Sequence, residues 1–145
     1  MKKIDFTQKA FIVNNGKILL VKKSGADPNH PYKWEVPGGR LEFGESPDEH
    51  IKREVKEEVG IDILPQEPFS IWSWIMKVEE DDVHVVCVGR VCEPINTCVH
   101  SNNRVASDYL AEIEWVDLEK VFDYPLIPGV EEPMRKFIEI QRKKI

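Results

Sequence analysis

The chain has 145 residues, of which 41% are hydrophobic and 32% charged, so it is long enough for one domain with a real buried core. Its net charge of −6 argues against a general nucleic-acid binder or a membrane-surface protein, since both want a basic patch. No apolar run reaches transmembrane length and MKKIDFTQKAF has no signal-peptide core, while Cys87, Cys92 and Cys98 are odd in number and lack C-x-x-C spacing, which fits a reducing cytoplasm and not a disulfide or zinc framework.

Residues 8–14 and 17–23 read as two strands joined at Asn15-Gly16, a dipeptide suited to a tight hairpin. Lys22 and Lys23 end the second strand, either as edge charges or as contacts to an anion. Ser24 to Lys33 is a polar loop broken by Pro28 and Pro31, with His30 as loop residue or ligand contact. Trp34 to Gly39 is a short strand running into a turn, where Gly38 and Gly39 permit close backbone approach. Leu41 to Phe43 is expected to form another short strand before Gly44.

A helix is predicted over 47–59. Ser46 is a good N-cap, Pro47 suits the first helical position, and Glu49 completes a capping box. Gly60 stands where a left-handed cap is wanted. At 100° per residue Ile51, Val55 and Val59 form one apolar stripe. Glu54, Glu57 and Glu58 share an adjoining face, where like charges at i,i+3 and i,i+4 repel by a few tenths of a kcal/mol. Either this is a solvated acidic face, or a hard divalent cation such as Mg²⁺ offsets the repulsion with oxygen ligands.

Beyond the helix, Ile61 to Leu64 alternates as a short strand that Pro65 should end. Phe69 to Val78 has two apolar faces, so it is either a central strand or one covered by a partner chain, which would make a homodimer. Trp72 and Trp74 fit core or interface, with base stacking as the other reading. Glu79 to Asp82 is expected as a hairpin tip, Val83 to Cys92 as the returning strand, and Glu93 to Ser107 as the least structured stretch. Ala111 to Asp117 is a further strand, Leu118 to Phe122 a helical turn, and Asp123 to Gly129 a loop. A terminal helix runs from Glu131 to about Lys144, acidic at its start and basic at its end, with Ile145 following. The strand–helix–strands–helix order predicts a single α+β domain over 1–145, with a mixed sheet between helices.

The stretch Gly39 to Ile61, GRLEFGESPDEHIKREVKEEVGI, resembles the signature of the Nudix hydrolases: G, five residues, E, seven residues, R-E, an aliphatic, any residue, E-E, any residue, G, an aliphatic. Gly39, Glu45, Arg53, Glu54, Val55, Glu57, Glu58, Gly60 and Ile61 occupy its fixed positions. Seven single identities, each met by chance about one time in fifteen, make coincidence negligible. Close resemblance covers roughly residues 17–62. It implies an α/β/α sandwich and metal-dependent hydrolysis of a nucleoside diphosphate linked to another group, with Mg²⁺ or Mn²⁺ as cofactor and a small-molecule nucleotide as partner.

Carried over residue by residue, the resemblance gives the metal to Glu54, Glu57, Glu58 and the Gly39 carbonyl. Glu54 is the first choice for the base and Glu57 the second, with Arg53 orienting it. Glu45 and Gly38 support the loop. Lys23, Arg40 and Trp34 are expected to contact substrate, with the Asp123–Glu131 loop as another source of base contacts. MutT-like members recruit an acid about six residues before the tryptophan that corresponds to Trp115; here Tyr109 stands there, so Asp108 and Glu112 become the candidates. The spacings typical of ADP-ribose, dinucleoside polyphosphate and coenzyme A hydrolases are missing, which leaves a MutT-like nucleoside triphosphatase, acting on an oxidised purine, as the expected type. The alternative is a nucleotide-sensing domain that binds without hydrolysis. Such domains usually lose residues of the box, which is intact here.

Overall fold

The structure, a computed structural model, describes residues 1–144, and Ile145 lies outside the described residues. In chain order its elements are β1 (Lys2–Asn14), β2 (Lys17–Lys23), β3 (Trp34–Glu35), β4 (Gly38–Arg40), α1 (Pro47–Val59), β5 (Ile63–Val78), β6 (Asp81–Pro94), β7 (Leu110–Asp117) and α2 (Glu131–Arg142), with short 3-10 turns at Ala106–Asp108, Leu118–Asp123 and Pro128–Val130.

Alternation along β2 separates two cores. Ile18 and Leu20 join Phe11, Met134 and Phe137 under α2. Leu19 and Val21, pointing the other way, join Ile51, Val55 and Val59 under α1. The result is the α/β/α sandwich that the sequence predicts. The three α1 residues are fully buried, and each contributes about 1.5–3 kcal/mol by leaving water. Between the helices the seven strands follow the order β3-β2-β1-β6-β5, with β4 on β1 and β7 on β2. β1 runs parallel to β6, and the other pairings are antiparallel. Parallel neighbours cannot be joined by a tight hairpin, and the chain between these two carries the glycine turn and α1.

α1 has the predicted limits. Ser46 Oγ accepts from the Glu49 N–H at 3.2 Å, and Glu49 Oε2 accepts from the Ser46 N–H at 3.3 Å. Gly60 closes the helix at φ 79°, its N–H donating to Lys56 O at 3.1 Å. A side chain there is doubly excluded, because a Cβ would come within 2.5 Å of the His100 ring.

Five expectations change. Pro65 does not end a strand: β5 continues from Ile63 to Val78, absorbing Pro65 and Pro68 in register shifts. Proline is tolerated because β5 is an edge strand, so of the two expected readings, a central strand or one covered by a partner chain, the central one is excluded. Trp72 packs on the α2-side core, while Ile71 and Ile75 on the opposite face are exposed. The short strand expected at Leu41–Phe43 lies earlier, at Gly38–Arg40, where it pairs with β1; Phe43 is fully exposed and has nothing to pack against. The hairpin tip is only Glu79-Glu80, since Asp81 pairs with Val78 and is held by the Lys3 ammonium at 2.9 Å and the N-terminal amine at 3.3 Å. Lastly, the first strand begins at Lys2, six residues before its predicted start, because this segment runs alongside β6.

Candidate active site

α1 presents Glu54, Glu57 and Glu58 beside its buried stripe, and β4 brings the glycine turn up against them. The Glu54 carboxylate lies directly over Gly39, where a Cβ would stand 2.5 Å from Oε2 and 2.6 Å from Cδ. That approach requires glycine. Glu58 Oε1 accepts from the Gly38 N–H at 3.0 Å. Gly38 itself has φ 152°, and a Cβ there would run into the backbone of Gln8 and Lys9.

Arg53 organises the acids. Its Nε donates to Glu45 Oε2 at 2.6 Å and its Nη2 to Glu45 Oε1 at 2.9 Å, a bidentate pair. Its Nη1 donates to Glu54 Oε1 at 3.0 Å and to both Glu57 oxygens at 3.3 Å. Its Nη2 also reaches Arg40 O at 3.2 Å. One guanidinium therefore ties the loop before α1 to two acids on it. The hydrogen bonds from Arg53 hold the Glu45 carboxyl down at about 2.

Two of the acids are shifted the other way. Burial raises the Glu54 carboxyl, against the pull of Arg53, and burial pushes Glu58 up to about 8 despite the positive charge of Lys9 and the Gly38 N–H. The charge of Asp108, in the 3-10 turn before β7, adds to both shifts. Asp108 Oδ2 is buried with no hydrogen-bond partner. Glu112, in contrast, is largely exposed and pairs with Lys22 at 3.1 Å.

Among the described residues, no three His, Cys, Asp or Glu side chains stand close enough to hold an ion as they are. Arg53 takes up part of their charge. The donor set nevertheless suits a hard divalent cation: oxygen ligands only, two carboxyls destabilised as anions by burial, and an unpartnered buried oxygen on Asp108.

The expected substrate contacts fall in different surroundings. Lys23 is tied down, with its ammonium 3.3 Å from Glu35, 3.8 Å from Asp27 and donating to Asp108 O at 3.1 Å. Arg40 is 71% exposed, and its guanidinium lies 3.4 Å from Asp5. Trp34 is 6% exposed, with Tyr124 edge-on at 5.2 Å and the Lys22 ammonium 5.8 Å from its ring. A hollow of about 360 Å³ near Asn15, Asp117 and Arg142 shares no residue with the acidic site.

Sequence reasoning passed over three buried polar residues here. Lys9 forms a buried ion pair with Glu35 and acts electrostatically on Glu58. Its signal was a lone charge inside the run QKAFIV. His50 is fully buried and contacts the Gly39 carbonyl, and Gln8 contacts His50. The signal for His50 was its position four residues before Glu54, on the same side of the helix.

The sequence model of the NUDIX domain matches residues 7–139. The chain belongs to the NUDIX family. It is 29% identical to the 8-oxo-dGTP diphosphatase of Escherichia coli K12 over 89 residues, 53% of this chain and 68% of that protein. It is 25% identical to the nucleoside triphosphatase NudI of Escherichia coli over 133 residues, 86% of this chain and 89% of that one. Its fold superposes on that of a MutT NUDIX hydrolase from Burkholderia pseudomallei with a TM-score of 0.74 at 22% identity, covering 92% of this chain and 97% of the other. The α1 acids and the glycine turn thus lie within the matched NUDIX domain.

Proposed function

We propose that the chain hydrolyses the pyrophosphate linkage of a nucleoside diphosphate derivative, with a nucleoside triphosphate, an oxidised purine form included, as the favoured substrate. The observation that carries this is the buried Glu54 carboxylate, laid on the bare Cα of Gly39 and held by Arg53. The triphosphate preference is supported by the activities named for the two curated relatives.

Glu54, Glu57 and Glu58, with the Gly39 carbonyl, would hold Mg²⁺ or Mn²⁺, and the unpartnered buried oxygen of Asp108 would be a further ligand from outside the helix. When bound, such an ion offsets phosphate charge and orients a water. The chain's own groups do the rest. Glu54 takes the proton of the attacking water as its oxygen bonds to phosphorus and the bridging P–O bond breaks. Its burial favours the protonated form, as a base needs. Arg53 keeps that carboxylate aimed through Nη1, and Glu45 fixes Arg53. Glu57 is the second choice for the base. Lys23, released from its ties to Glu35 and Asp108, and the exposed Arg40 guanidinium would contact the phosphates, and Trp34 would contact the base.

The test is a panel of nucleoside triphosphates, 8-oxo-dGTP, nucleotide sugars, ADP-ribose and dinucleoside polyphosphates, each with Mg²⁺ or Mn²⁺. Nucleoside monophosphate and pyrophosphate should form fastest from a triphosphate. Tight binding of a nucleotide with no product from any substrate would replace this proposal with a nucleotide sensor.

A further inference from the structure

His50 and Gln8 are polar, buried to 0% and 1% exposure, and lie outside the acid cluster. Their hydrogen bonds leave no freedom in proton placement. The Gly39 carbonyl can only accept, so His50 Nε2, 2.8 Å away, carries the hydrogen. The Pro47 carbonyl can only accept, so the atom of Gln8 at 2.7 Å is the amide nitrogen. That same nitrogen is 2.8 Å from His50 Nδ1 and gives it the second hydrogen, which makes Nδ1 the bare, accepting nitrogen. Gln8 Oε1 then faces an Arg90 donor at 3.4 Å, and Arg90 Nη1 is anchored to Asp48 at 2.6 Å. The chain from Arg90 to the Gly39 carbonyl has one direction and is satisfied throughout. Burial lowers the imidazole's affinity for a second proton, in keeping with the neutral ring this pattern requires.

The chain's geometry matters because β4 is only three residues long and is bound to the sheet through β1 alone. Gly39 is gripped twice, by Glu54 over its Cα and by His50 at its carbonyl. Gln8 ties the same group to the first turn of α1 through Pro47. The other links between turn and helix are the Gly38 N–H to Glu58 and Arg53 to the Arg40 carbonyl, and neither of them touches the Gly39 carbonyl.

We propose that His50 and Gln8 are positioning residues for the metal: they lock the Gly38–Gly39 turn to α1 and so hold the Gly39 carbonyl against the helix whose carboxylates would share the ion with it. This rests on the metal-dependent function proposed above. A hydrogen bond that orients a metal-ligating group typically affects metal affinity by 10- to 100-fold.

The test measures the Mn²⁺ dissociation constant of the full chain by electron paramagnetic resonance of the free ion, at a temperature where each variant is folded. His50→Leu removes the donor and should weaken binding at least about tenfold. His50→Gln places an amide N–H near the Nε2 position and should bind within about threefold of wild type. Gln8→Met should weaken binding in the same direction as His50→Leu, and it decides the matter if His50→Leu does not fold. Glu57→Gln serves as the control for the metal site. Wild-type affinity in His50→Leu or, failing that, in Gln8→Met, beside weakened binding in Glu57→Gln, overturns the positioning role and leaves the metal site standing. His50→Gln binding as weakly as His50→Leu overturns the assigned donor. Absence of Mn²⁺ binding by wild type overturns both proposals.

Discussion

Gly39→Ala separates catalysis from folding. Gly39 is not among the residues with positive φ, so alanine can adopt its backbone conformation. The added methyl would lie 2.5, 2.6 and 2.8 Å from three atoms of the Glu54 carboxyl group, all at the far end of a flexible side chain. Relief needs Glu54 to retreat by about 1 Å, and a misplacement of that size at a reacting group costs about 10²-fold in rate, or about 2.7 kcal/mol. Stability should stay within about 1 kcal/mol of wild type, because the three nearest atoms the methyl meets all belong to a side chain that can move. Gly38→Ala is the contrast. It has φ 152° and its methyl would meet backbone atoms of Gln8 and Lys9, so it should lose about 2–3 kcal/mol of stability. Steady-state kinetics beside urea unfolding would measure both. Wild-type kcat/KM in folded Gly39→Ala, or activity lost only in proportion to stability, refutes the placement of Glu54.

Glu54→Gln, Glu57→Gln and Glu58→Gln should each lower kcat by about tenfold or more, or about 1.4 kcal/mol, with the fold retained; wild-type rates from all three under saturating metal and substrate contradict the assignment. Lys9→Met strands Glu35 in the interior beside only Lys23, and should cost about 3 kcal/mol in urea unfolding, most of it recovered in Lys9→Met/Glu35→Leu; an unchanged midpoint for the single variant dismisses the ion pair as a stability element. Burial alone would raise the Glu35 carboxyl, but the charges of Lys9 and Lys23 outweigh it and hold it below its ordinary value. Its stabilisation is therefore complete above the ordinary carboxylate range and lost as pH falls through the lower folded value, so wild type should lose more melting temperature than Glu35→Gln on acidification from pH 5 to 3. Glu58 runs the opposite way: with its carboxyl at about 8 in the fold, metal-free stability falls as pH rises from the ordinary carboxylate range towards 8, and Glu58→Gln in chelator at pH 8 should melt above wild type.

Much of this was legible because local rules and tertiary structure agree. The Ser46–Glu49 box, Pro47 and Gly60 fix α1 to the residue, and its apolar stripe fixes which side is buried. The box of acids and glycines likewise falls on one face of α1 and the turn packed against it, where the candidate site lies. What failed was sheet context. Pro65 breaks a strand in sequence, yet an edge strand needs no ladder bond on its outer side. The two apolar faces of β5 allowed a central strand or one covered by a partner chain, and the central reading fails because Trp72 packs towards α2 while Ile71 and Ile75 stay exposed. Lys9, Gln8 and His50 were missed because their partners, Glu35, Pro47 and Gly39, become neighbours only through the pairing of β1 with β4 and the packing of α1. Conversely, Lys23 read as an edge charge or an anion contact at a strand end, and its ties to Glu35 and Asp108 appear only in three dimensions.

The central claim is that the α1 carboxylates hold a divalent ion that hydrolysis requires. It is tested most directly by the initial rate of pyrophosphate release from a nucleoside triphosphate as free Mg²⁺ is titrated from chelator upwards, in wild type and in Glu57→Gln. Wild type should go from no release to saturation, and Glu57→Gln should need at least about tenfold more Mg²⁺ for half its maximum. Release in full chelator, or identical Mg²⁺ dependence in the two proteins, would contradict the account.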